Sequence, residues 1–178
     1  MNNELNIAPE ILFAARAQHQ AIMTSRLASS RLLFNDIVRC ACYPAREHSK
    51  QTLQVINQHL SYRAQYRWVL NELSQSVSQQ QAAASSADTK IRRRSAGFTL
   101  FVDEDTQNPQ QAFATLELTL ADEAQHDEGV YLHCHYQEKF YIVAFMQPIA
   151  NKRTQLLLQT DSLEYQLLTD ASTAMYLT

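Results

Sequence analysis

The chain has 178 residues, 46% of them hydrophobic and 19% charged, which is enough apolar character to bury a core and too much for a disordered chain. Its formal net charge of −3 singles out no partner class. Its two glycines, Gly97 and Gly129, count against a Gly-rich phosphate loop, a dinucleotide fingerprint and a G-x-S-x-G nucleophile elbow.

The opening stretch MNNELNIAPE carries neither the basic start nor the apolar run of a signal peptide, so a cytoplasmic location is expected. The odd cysteine count (Cys40, Cys42, Cys134) fits a reducing compartment. From Pro9 to Cys42 the apolar residues recur at helical spacing, with Leu12, Ile22, Met23, Leu27, Ser30, Phe34, Ile37 and Ala41 on or beside one stripe. Pro44 interrupts the pattern, and a second helix is expected from about Ala45 to about Gln79, with a stripe of Val55, His59, Tyr62, Tyr66, Val69, Leu73 and Val77. Two long helices joined by a short turn predict an antiparallel hairpin over residues 1–80. At 1.5 Å per residue each arm would reach roughly 50 Å, more than a small sheet covers, so a homodimer or a protein partner is expected on the hairpin.

Residues 81–96 read as a linker that begins rich in Ser, Gln and Ala. Beyond it the period becomes two. Phe98, Leu100 and Val102 share one face of a strand; Ala114, Leu116, Leu118 and Leu120 share one face of another. VYLHCHY (130–136) and KFYIVAFMQ (139–147) predict a hairpin turning at Gln137 and Glu138. The run 140–146 is apolar on both faces and is expected to be central; at seven residues it falls far short of the ~20 that span a bilayer, and no membrane partner is expected. TQLLLQT and LEYQLLT read as a second hairpin through Asp161 and Ser162, and AMYL as a short last strand. The fold class is α+β, a helical hairpin followed by an antiparallel meander of five or six strands over 97–178.

Residues 1–96 carry a net +6 and residues 97–178 a net −9, and the basic cluster Lys90, Arg92, Arg93 and Arg94 stands at that boundary. It can hold nucleic acid together with Arg63 and Arg67, or it can form a seam between the halves, which is the favoured reading. The helix segment YRAQYRW offers Arg63, Arg67 and Trp68 as protein-interaction candidates, because Tyr, Trp and Arg dominate binding hot spots. His133 and His135 share one face of a strand and are the candidates for a metal or acid–base site, although no third ligand stands at a diagnostic spacing. Cys40 and Cys42 diverge on a helix and are expected as core residues, and Cys42 could be an activated thiol only if a basic group lowered its pKa. His19 and His59 are expected in the helix seam. With no catalytic constellation and no cofactor motif, a non-enzymatic adaptor, chaperone or inhibitor-like role is favoured. A nucleic-acid-binding protein is the first alternative, and a site at His133 and His135 the second.

Overall fold

Strands with alternating apolar residues bury one face each, and here two sets of them close on a common core. The computed structural model describes residues 32–74, 76–78, 83–84, 90–119, 129–146 and 151–178. Among the described residues three helices come first: α1 (Phe34–Cys42), α2 (Glu47–Gln58) and α3 (Leu60–Leu73). The strands are β1 (Ser76–Ser78), β2 (Ala83–Ala84), β3 (Lys90–Arg94), β4 (Phe98–Glu104), β5 (Gln111–Leu118), β6 (Val130–Tyr136), β7 (Lys139–Phe145), β8 (Arg153–Gln159) and β9 (Ala174–Leu177), with helix α4 (Leu163–Thr169) between the last two. One antiparallel sheet has the order β1-β9-β6-β7 and the other β2-β3-β4-β5-β8. The architecture is α+β, and residues 34–178 form one compact unit.

The sandwich core follows from the period of two. Phe98, Leu100 and Val102 of β4 meet Ala112, Ala114, Leu116 and Leu118 of β5 in one buried cluster with Val130, Leu132 and Cys134 of β6, Val143 and Phe145 of β7, and Met175 and Leu177 of β9. Residues one position out of phase on the smaller sheet, among them His133, Phe140 and Tyr176, face the opposite way. There Ile37, Ala41, Ile56, Tyr66, Val69 and Leu70 of the helices are also buried, and Tyr66 packs edge-on against both Phe140 and His133. The smaller sheet is thus covered on both faces, by the larger sheet on one and by helices on the other.

The β6–β7 hairpin turns at Gln137 and Glu138 as the sequence implies, with Tyr136 opposite Lys139. Both turn residues are left-handed, at φ 45° and 61°, the conformation a two-residue turn needs to follow the twist of its strands.

The helical expectation requires correction. Leu32 and Leu33 are not helical, so no continuous helix runs from Pro9 to Cys42; Leu12, His19, Ile22, Met23, Leu27 and Ser30 lie outside the described residues. The second helix is two helices. At His59 the backbone is extended (φ −124°, ψ 123°), although neither Pro nor Gly stands there. Two contacts take the place of helical continuity. The Asn57 amide bonds the backbone of Phe140, and Arg63 Nη1 donates to the Asn57 carbonyl at 2.8 Å. In an unbroken helix that carbonyl would accept from residue 61. The helix also ends at Leu73, not near Gln79, and Val77 belongs to β1. His59 is exposed, not in a seam, with its ring against Tyr62. Helices of 9, 12 and 14 residues remove the argument that overlong arms require a second copy.

The strand expectation is corrected in four places. The strands form two sheets, not one meander, because β5 pairs with β8 and not with β6, whose neighbours are β7 and β9. Residues 90–94, expected within a linker, are strand β3, and Ala83–Ala84 pair with it. The run 140–146 supplies an edge strand, β7, not a central one. Its apolar residues answer to the layers above and below it, which periodicity cannot distinguish from neighbours in the sheet. LEYQLLT is helix α4: Ser162 Oγ accepts from the Tyr165 N–H at 3.1 Å as an N-cap, and Leu163 and Leu167 sit four apart. Leu120 and Gln147 lie outside the described residues.

Candidate functional site

His133 is fully buried beneath α3. Tyr66 Oη lies 2.7 Å from His133 Nδ1, and Thr178 Oγ1 lies 2.9 Å from Nε2. Cys40 Sγ is 3.8 Å from Tyr66 Oη and 3.4 Å from the Ser49 carbonyl, so the thiol has a choice of acceptors. Burial pushes the His133 imidazole down to about 4, against a smaller upward pull from the Ala41 carbonyl. It pushes the Tyr66 hydroxyl well up and the Cys40 thiol up to about 11. All three side chains are therefore neutral at physiological pH. Closed to solvent, they bind helix to sheet by satisfying each other's polar atoms.

His135 shares the outward face with His133 but makes a separate set of contacts. Arg67 Nη2 stands 3.0 Å from His135 Nε2, and the ring lies on Phe140 at 4.6 Å. A guanidinium can only donate, so Nε2 accepts and the neutral ring carries its proton on Nδ1. Partial burial first, and then the Arg67 and Arg63 charges, hold this histidine below its usual range, with Glu138 opposing them. The two histidines therefore point their available nitrogens at different partners. Among the described residues no three His, Cys, Asp or Glu side chains stand together as a metal set. Cys42 is exposed and its thiol is pushed up by desolvation, the opposite of activation.

The basic cluster is split by the strand it forms. Arg93 is fully buried; its Nη1 donates to the Asp170 carbonyl at 3.2 Å and its Nη2 to the Thr173 carbonyl at 2.5 Å, while Nε finds no partner among the described residues. Arg92 and Arg94 fall on the exposed face, where Arg92 lies over the Phe101 ring at 5.2 Å. Lys90 begins the strand, opposite Asp103 in the register. Of the helical candidates, Arg63 and Arg67 bond to Asn57 and His135. Trp68 stays 56% exposed against the Phe34 ring, itself 49% exposed, at 5.9 Å.

One concave surface involves none of the candidate residues singled out by the sequence. A groove of about 550 Å³ runs along β7, an edge strand among the described residues, walled by Leu53 and Asn57 of α2, Ile142 and Ala144 of β7, and Leu163 and Glu164 of α4. A second hollow of about 420 Å³ continues it from Ile142 and Ala144 to Leu157 of β8. Three large apolar side chains on these walls are exposed: Met146 by 64%, Leu157 by 49% and Leu163 by 44%. The unbroken apolar run 140–146 hinted at unusual surroundings. The open edge had no signal in the sequence, because it depends on which strands are neighbours. Comparison with protein-family models, with curated proteins and with solved structures finds no significant match to this chain. No helix among the described residues is long and apolar enough to cross a membrane.

Proposed function

We propose that the protein is a non-enzymatic interaction module that receives a segment of another protein in the groove along β7. The observation that carries this reading is the groove itself, an apolar hollow beside a strand edge that is unpaired among the described residues and rimmed by exposed Met146 and Leu163. Exposed apolar surface is costly to a free-standing chain and is most often retained where a partner covers it. The buried Tyr66–His133 pair and the unactivated Cys42 thiol give catalysis less support. The nucleic-acid reading retains Arg92 and Arg94 but loses the contiguity of its cluster, because Arg93 faces inward and Arg63 and Arg67 are engaged within the chain.

The test is selection of random linear peptides displayed on phage against the full chain. Each enriched peptide is then measured against Leu53→Glu, which places a carboxylate on the half-buried groove wall. Enriched peptides whose affinity falls at least about tenfold in the variant are expected, from the cost of setting a charge against apolar surface. If no peptide is enriched, or if all bind the variant equally well, the reading fails.

A further inference from the structure

The groove selects for a particular backbone conformation. β6 and β7 are joined by a two-residue turn closed by Tyr136 and Lys139, so the ladder bonds to β6 fall at residues 139, 141, 143 and 145 of β7. The N–H and C=O groups of Phe140, Ile142 and Ala144 then point away from β6, towards the free edge. Phe140 verifies this directly: its N–H donates to Asn57 Oδ1 and its carbonyl accepts from Asn57 Nδ2, both at 2.8 Å. One side-chain amide thereby occupies the place that the backbone of a neighbouring strand would take. The protein blunts its edge at Phe140, and among the described residues the next two outward-facing positions, Ile142 and Ala144, have no such partner. Glu164 stands on the opposite wall, exposed and with no ion-pair partner among the described residues.

Taking the groove as the binding site, we infer that its occupant is an extended peptide segment that adds to β7 as a fifth strand of the smaller sheet. The segment pairs with Ile142 and Ala144, presents apolar side chains at every second position, and sets a lysine or arginine against Glu164. Backbone pairing supplies affinity without regard to sequence, and the alternate side chains supply the selection. A helical segment satisfies neither open N–H nor open C=O, because its own backbone groups bond internally. Asn57 marks one end of the added strand, since its amide already holds Phe140.

Hydrogen exchange on the full chain, with and without a peptide from the selection above, tests this. The Ile142 and Ala144 amides are expected to slow when peptide binds, and the Phe140 amide, already bonded, to change little. N-methylation along the peptide should weaken binding by about tenfold at alternate residues and much less between them, because only every second N–H faces β7. Glu164→Lys should shift the selected peptides from basic to acidic residues at the facing position. Peptides that bind in the groove, lose affinity in Leu53→Glu, and yet leave the Ile142 and Ala144 amides unprotected would overturn strand addition while preserving the interaction module. A free protein that protects those amides by dimerising, with slower exchange at higher concentration, would overturn it in favour of a second copy. Absence of any binding peptide would overturn both.

Discussion

Tyr66 Oη and His133 Nδ1 are 2.7 Å apart across 67 residues of sequence, and this bond fixes helix α3 to strand β6 in a layer closed to solvent. Replacing Tyr66 by Phe keeps the ring against Phe140 but removes the partner of a buried imidazole nitrogen. An orphaned buried polar atom costs about 1–3 kcal/mol. Urea unfolding of Tyr66→Phe should therefore show a loss in that range at neutral pH, and a change below about 0.5 kcal/mol would mean that the hydrogen bond is energetically silent.

Acid should act through the same residue. Burial holds His133 down at about 4 in the folded chain, against about 6.5 when unfolded. Between those values the unfolded state binds the extra proton, so the stability contribution is complete above about pH 6.5 and declines as pH falls towards 4. The whole interval corresponds to about 3 kcal/mol. The wild type should lose that much more than His133→Gln between about pH 7 and pH 4, because the variant keeps a polar side chain but cannot titrate. Parallel pH curves for the two proteins would refute the assignment.

The three consecutive arginines should behave unequally. Arg93→Ala removes the donors to two backbone carbonyls and leaves a cavity between the sheet and the turn that leads into β9. A loss of about 2–4 kcal/mol is expected, only weakly dependent on salt, since the hydrogen-bond partners are carbonyl dipoles and the Asp170 charge adds a lesser attraction. Arg92→Ala and Arg94→Ala lie on the exposed face, and each should change stability by less than about 0.5 kcal/mol. Equal effects at all three positions would contradict the inward direction of Arg93.

Two left-handed backbone positions offer opposite glycine tests. Glu138 holds φ 61° without being glycine, so Glu138→Gly should relieve left-handed strain and stabilise the chain by about 0.5–1 kcal/mol, read as a raised Tm. Gly129 holds φ 95°, and a Cβ there would stand 2.9 Å from the Phe145 carbonyl oxygen. Gly129→Ala should cost more than about 1 kcal/mol. If both substitutions shift Tm in the same direction, the left-handed backbone at one of the two positions is misassigned.

The alternation at Phe98, Leu100 and Val102, and at Ala114, Leu116 and Leu118, sufficed to tell which side chains enter the core, because a strand's period is a local property of its backbone. The same holds for the β6–β7 hairpin and for the common face of His133 and His135. Local pattern also misled. Leu163, Leu167 and Leu168 fit a helix, and Ser162 signalled its start, but the short apolar run before them invited a hairpin instead.

Other features had no local cause and could be decided only by the tertiary structure. The helix breaks at His59 where Asn57 bonds a strand edge 83 residues further along. The run 140–146 is an edge strand although it is apolar on both faces, because burial comes from layers and edges come from pairing order. Arg93 turns inward because the carbonyls of Asp170 and Thr173 await it there, and His133 is neutral because Tyr66 and the helices above it exclude water. Sequence periodicity reports which face of an element is apolar. It carries no record of which distant backbone group a polar side chain will meet, and those meetings set both the closed Tyr66–His133 pair and the open groove along β7.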